Sequence, residues 1–404
     1  MAEVAPMLTT VTAADADADA GAADVVVAAP SVRRGRIAVS AIFAVHGAVA
    51  GTYAGRLPWL QSHIHAAPGV LGAVMIAQAV GAMVAAPATG VAVHRFGAKL
   101  GMRVLLLWWT AWLALPALMP SAWTLALVLF GFGAAAGCAD VAMNAHGVRV
   151  ERRARKSIMS GFHGLWAVGM ICGSAVGGLC AAGGISAVGE FVVTALVLCV
   201  VAVPVCSLLP DDDPAESSVP ATHYALPSRA ILFIGILAFC GVFAEGAADN
   251  WSAVYITHVG HASAAIGAYC LTGFSVTMAI GRLTGDSVAR RFGPVATVRT
   301  GGVLAVVGTA LVVVARAPIP AVIGFGLLGL GIATVVPLAI AATGRIEADV
   351  DADSAIAGIT TIVYAGSLVA GPLIGALGSA VSLPFAFAVV ALAAVGISVG
   401  ARAL

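Results

Sequence analysis

HRFGAK, His94 to Lys99, returns as RRFGPV, Arg290 to Val295, about half a chain later. Each copy closes an apolar stretch and follows a glycine-containing helix end, Gly90 in one case and Gly285 in the other. A loop that recurs at this distance marks a duplicated body. It predicts two halves with matching loops between their second and third helices, related by a pseudo-twofold axis, with a binding site near the midplane between them.

The residues around the two loops say what kind of helices these are. Hydrophobic residues make up 61% of the chain and charged ones 10%, with a mean hydropathy of +1.03, whereas roughly a quarter of a soluble chain is charged. Apolar runs of about 20 residues, each enough to cross a hydrocarbon core about 30 Å thick, follow one another almost end to end. They are expected at 37–56, 70–93, 100–119, 122–146, 158–182 and 187–209, and again at 230–251, 262–288, 296–316, 319–343, 355–379 and 383–401. The fold class is therefore an all-α membrane protein of twelve spans in two six-helix halves. Its domains are an acidic disordered tail over 1–36, a first half over 37–209, a linker over 210–229 and a second half over 230–404. The tail, with ADADADAGAAD, has no basic leader region and does not read as a cleaved signal peptide.

Positive charge falls on one side. Arg33, Arg34, Arg36, Arg95, Lys99, Arg103, the run Arg149 to Lys156, Arg229, Arg290, Arg291, Arg299, Arg345 and Arg402 share the side of both termini, and the opposite loops offer Arg316. By the positive-inside bias the termini are cytoplasmic, and the expected location is a bacterial inner membrane. The seven cysteines all fall inside spans, without the spacing of a disulfide framework or a zinc site. GFGLLG, Gly324 to Gly329, spells a dinucleotide fingerprint, but it lies within an apolar span with no strand before it. No Walker-type loop is present, so gradient energy and not ATP is implied. Neither a cofactor nor a metal is expected, and nothing in the charge pattern suggests nucleic acid.

The loop at Gly90, His94, Arg95, Gly97 and Lys99, with its partner at Arg290, Arg291 and Gly293, is similar to the signature between the second and third helices of the major facilitator superfamily. His94 stands where that signature carries aspartate. ADVAMNAHG (139–147), SGFHGLWAVG (160–169), FAEGAADNW (243–251), GRLTG (281–285) and AGPLIGALG (370–378) resemble bacterial members near the fucose permease branch. The resemblance spans all twelve helices. It implies alternating access and a solute path between the halves. It also matches Asp140, four residues before Asn144, to a glutamate that takes up the coupled proton in that branch. The branch's aspartate in the first helix has no counterpart, since Ala54 occupies the place ahead of Pro58.

Ionisable groups within lipid-spanning helices are costly, and so are functional candidates. Asp140 and Glu245 are the expected proton carriers. His46, Tyr53, Asn144, His163, Trp166 and Asn250 are candidates for the substrate cavity, with packing as the competing role for the histidines and aromatics. Arg56 is expected to pair with Asp249 or Glu245 as an outer gate, and Arg282 with Asp286 or the acids of 347–353 as an inner latch. Asn250 and Trp251 are expected at the membrane interface. Taken together, these residues predict a monomeric, proton-coupled secondary transporter of a small polar solute, sugar-like or another metabolite. A proton-antiport exporter of a drug or metabolite is the alternative, and a non-transporting sensor or scaffold is the alternative of another class. No Ser/His/Asp or HExxH constellation supports an enzyme.

Overall fold

The computed structural model describes residues 13–154, 158–210, 229–346 and 352–404, and all regular elements among them are helices. A spanning segment without water must satisfy its own backbone, which a helix does. The first half comprises α1 (Ala13–Gly55), a short α2 (Leu57–His63), α3 (Pro68–Ala85), α4 (Ala88–Phe96), α5 (Ala98–Trp112), α6 (Ala122–Ala154), α7 (Met159–Ala182) and α8 (Ala187–Ser207). The second comprises α9 (Arg229–His258), α10 (Ala264–Phe292), α11 (Pro294–Val314), α12 (Pro318–Ile332), α13 (Val335–Ile346), α14 (Ala352–Ala380) and α15 (Leu383–Gly400). Eleven stretches among the described residues are long and apolar enough to cross a bilayer. The remaining expected span is α14, with a shorter apolar part over Ala365–Ala380.

Three local departures have local causes. The second span is two helices, α3 and α4, broken before Pro87. The tenth is likewise divided, because Pro337 has no N–H to offer the carbonyl of Ala333, and α12 ends at Ile332. The backbone is helical from Ala13, within the stretch expected to be disordered. Alanine has the highest helix propensity, and ADADADAGAAD alternates it with aspartate. Residues 1–12, the linker over 211–228 and the acids over 347–351 lie outside the described residues.

The duplication is visible in the packing. Within the first half α1 packs on α7, α3 on α6, and α5 on both α6 and α8. Within the second, α9 packs on α14, α10 on α12, and α11 on both α12 and α15. The halves meet through α3 against α14 and α7 against α10, two contacts that exchange under the same correspondence. Both signature loops turn on a glycine of equivalent shape, Gly97 at φ 78°, ψ 156° and Gly293 at φ 83°, ψ 155°. A side chain is essentially excluded from that region. The preceding arginines lie over the adjoining rings, Arg95 5.8 Å from Phe96 and Arg291 5.4 Å from Phe292. At the other end of the same helix pairs, His65 and His261 both adopt a left-handed backbone, at φ 51° and 50°.

The two ends of the bundle differ. At the end away from the chain termini, the distal end, the halves are hydrogen-bonded together. Gly69 donates its N–H to Ser379 Oγ at 2.6 Å, Ser174 and Thr272 share a bond of 2.9 Å, and His258 Nε2 donates to Gln61 Oε1 at 2.9 Å. A methyl group on Gly375 would stand 2.6 Å from the Cα of Gly72, so α3 and α14 touch at the backbone. At the end bearing the termini, a methyl on Gly90 of α4 or on Gly161 or Gly164 of α7 would meet nothing within 4 Å, and His163 and Leu165 are exposed. Among the described residues, the hydrogen bonds that join the halves lie at the distal end.

Candidate substrate path between the halves

A cleft lies where α7 of one half meets α9 and α10 of the other, with Trp166 and Met170 on one wall and Glu245, Asp249, Phe274, Ser275, Met278 and Arg282 on the other. Helical spacing gathers the charges, since Glu245 and Asp249 stand one turn apart on α9 and face the same way. Arg282 crosses from α10 and donates from Nη2 to both oxygens of Glu245, at 2.7 and 2.8 Å. The pair is partly open, with the arginine side chain 26% exposed and the glutamate 19%. Asp249 lies within the electrostatic reach of both. Its side chain has no hydrogen-bond partner among the described residues. Two carboxyl groups thus share this cleft with one guanidinium.

On the side of the first half, Asn144 Nδ2 donates to the backbone oxygen of Asp140 at 2.9 Å and to its Oδ1 at 3.2 Å. The two residues thus share one face of α6, as their spacing implies. Asp140 acts electrostatically on His46 and His163, and His163 also feels Glu245 and Arg282. His163 is thus within electrostatic reach of both the acid of the first half and the ion pair of the second. Its ring stands edge-on to Phe43 at 5.2 Å and is exposed.

Several predicted site residues have other surroundings. His46 is buried behind Trp166, stacked on Trp109 at 5.1 Å. Tyr53 is buried against Phe132 at 5.1 Å and does not line the cleft. Asn250 is half-buried and donates to Gly246 O at 2.8 Å. Trp251 is fully buried, not interfacial, with its indole N–H on Gly371 O at 3.0 Å. The cause is tertiary: α14 crosses that face of α9 and covers the ring.

The two predicted charge pairs are also corrected. Arg56 does not meet Asp249 or Glu245; its Nε donates to Glu190 at 2.6 Å and its Nη2 to Ile185 O at 3.1 Å. The end of α1 packs on α8 within its own half, which brings the arginine to the first turn of that helix. Arg282 does not pair with Asp286, which is exposed one turn further along, because Glu245 across the α9 and α10 contact satisfies it first. In the signature loops, Arg290 reaches Ser287 Oγ at 3.0 Å, Lys99 is half-buried, and the His94 side chain lies outside the described residues. Glu190, Gln61 and His258 went unpredicted. The signal for Glu190 was present, since it is the lone acid of the sixth span as Arg56 is the lone base near the end of the first.

Residues 39–270 match the sequence profile of the Major Facilitator Superfamily. The chain is 32% identical to the uncharacterized transporter y4wD of Sinorhizobium fredii over 369 residues, covering 91% of this chain and 97% of that one. It is 33% identical over 370 residues to an uncharacterized MFS-type transporter of Yersinia pestis, covering 90% and 94%. Among solved structures, a mutant form of the nucleoside transporter NupG is similar with a TM-score of 0.73 at 13% identity, covering 91% of this chain and 99% of that one. A variant of the E. coli fucose:proton symporter FucP is similar with a TM-score of 0.60 at 18% identity, covering 92% and 98%.

Proposed function

Since the chain belongs to the major facilitator superfamily, a family of membrane transporters and not of enzymes, we propose that it is a proton-coupled secondary transporter carrying a small polar solute through the cleft between its halves. The observation that carries this reading is the Glu245 and Arg282 pair, inside the membrane yet partly exposed, with Asp249 beside it lacking a hydrogen-bond partner among the described residues. An ionisable group within a membrane-spanning helix is retained at a cost of several kcal/mol, and sites of ion and solute passage are where such costs are met.

In this reading Glu245 and Asp249 hold the solute or a proton on one side, and Asp140, steadied by Asn144, accepts a proton on the other. His163 is within electrostatic reach of both sides. Protonation changes the charge balance of the cleft and thereby the relative energy of the two conformations, which is what couples an ion to a conformational equilibrium. The distal hydrogen bonds between the halves form the outer gate in the present state. With the termini cytoplasmic in a bacterial inner membrane, the state is open inward. The protein works as a monomer, because each chain contains both halves of its path.

Purified protein in liposomes enclosing a pH-sensitive dye tests the proposal. Addition of a solute from a panel of sugars, nucleosides and amino compounds should move protons with the wild type and not with Asp140→Asn or Glu245→Gln. A dye signal that is absent for the whole panel, or unchanged in both variants, would remove the reading and favour a non-transporting role.

A further inference from the structure

Trp166 presents its ring to the cleft, but its one polar group is turned the other way. The indole N–H donates to His46 Nδ1 at 3.1 Å. The opposite ring nitrogen, Nε2, lies 3.4 Å from Ala136 O. A carbonyl accepts and an indole N–H donates, so both bonds form together only when His46 is neutral and carries its proton on Nε2. The residue is held in two further ways. It stacks on Trp109 at 5.1 Å, and the N–H of Trp109 donates to the His46 backbone oxygen at 3.3 Å. At the α1 and α7 contact a methyl group on Gly47 would fall 2.0 Å from Trp166 O, so the two backbones are in direct contact here.

From this arrangement we propose that His46 is a positioning residue that fixes Trp166 as an apolar wall of the solute cleft. The inference rests on the transport reading for the identity of the cleft. Because its N–H is occupied behind it, Trp166 meets the solute through the ring face alone. The solute then has an apolar face toward Trp166 and Met170 and a polar edge toward Glu245, Asp249 and Arg282. The wall discriminates by shape, while hydrogen bonding is left to the opposite side.

The test needs no identified ligand. In nanodiscs containing ¹⁵N-tryptophan-labelled protein, the indole signal that vanishes in Trp166→Phe belongs to this residue. His46→Phe keeps a ring on Trp109 and removes the acceptor; the signal should shift and its solvent exchange should quicken about tenfold, the scale of one lost hydrogen bond. His46→Gln, which offers an amide oxygen, should restore much of the protection. In a Trp166→Phe background, His46→Phe should leave the indole signals of the tryptophans other than Trp109, which stacks on the substituted ring, and the melting temperature nearly unchanged. An unmoved Trp166 signal in His46→Phe overturns the proposal, and so does a loss of folding that is as severe in the Trp166→Phe background as in the wild type. If folding fails only when Trp166 is present, the proposal stands. Wild-type liposomes that move no solute would count against the transport reading and leave the indole result as it is.

Discussion

Removing one member of the Arg56 and Glu190 pair should be far more damaging than removing both. The side chains are 4% and 1% exposed, and the second oxygen of Glu190, Oε1, already lacks a hydrogen-bond partner among the described residues. In Arg56→Leu the carboxylate loses the guanidinium that donates to it and stays beneath α7, where a methyl on Gly177 would be 3.2 Å from Oε1. Breaking a buried pair by removing one partner costs about 3–5 kcal/mol, whereas an apolar replacement of both is often close to neutral. Arg56 also donates to Ile185 O, so the double variant Arg56→Leu/Glu190→Leu should retain a deficit of about 1 kcal/mol for that bond. Thermal melting of detergent-solubilised protein, read by size-exclusion chromatography after heating, gives the ranking. Each single variant should melt well below the wild type and the double variant between them. Near-wild-type melting of both single variants, or a double variant no better than the worse single one, would show that the pair does not carry this burial cost.

The same geometry sets other outcomes. Gly97→Ala and Gly293→Ala should each destabilise by about 1–3 kcal/mol, because neither backbone position admits a side chain without strain; melting curves that match the wild type would contradict the assigned loop shape. Gln61→Ala and Ser379→Ala each remove a hydrogen bond between the halves, worth about 0.5–1.5 kcal/mol. Together they should raise the fraction open at the distal end, measured by modification of a distal cysteine with an impermeant thiol reagent. Asp249→Asn should weaken coupling without much loss of stability, since no hydrogen bond is broken; solute-driven proton flux and melting are the paired readouts, and a stability loss as large as that of Arg56→Leu would argue for a structural role.

The fold was largely legible because a membrane imposes it. Apolar runs of fixed length give the spans, and the repeat of His94 to Lys99 at Arg290 to Val295 gives the duplication, which the glycine geometry and the exchanged helix contacts reproduce. The site was legible only along single helices. Spacing sets Glu245 beside Asp249 and Asp140 beside Asn144, because an interval of four residues is a property of one helix. Which helix stands opposite is a property of the bundle. Arg56 consequently found Glu190 in place of Asp249, and Arg282 found Glu245 in place of Asp286. Trp251 was misplaced for the same reason, as an interfacial preference yields to burial once α14 packs over it. His46 shows a further limit, for its position on α1 matched the cavity while the ring of Trp166 stands between them.

Transport as proposed depends on two halves that alternate between distal and terminal opening around the charged cleft. Electron–electron distance measurements in a cysteine-free background probe this alternation without a known substrate, with one label pair at Ser62 and His261 on the distal side and another at Val91 and Leu283 nearer the termini. The first pair is exposed, and the second is 69% and 77% exposed. Two populations are expected for each pair, the distal distance lengthening as the other shortens when pH or a transported solute is varied. Single, fixed distances for both pairs under every condition are incompatible with alternating access.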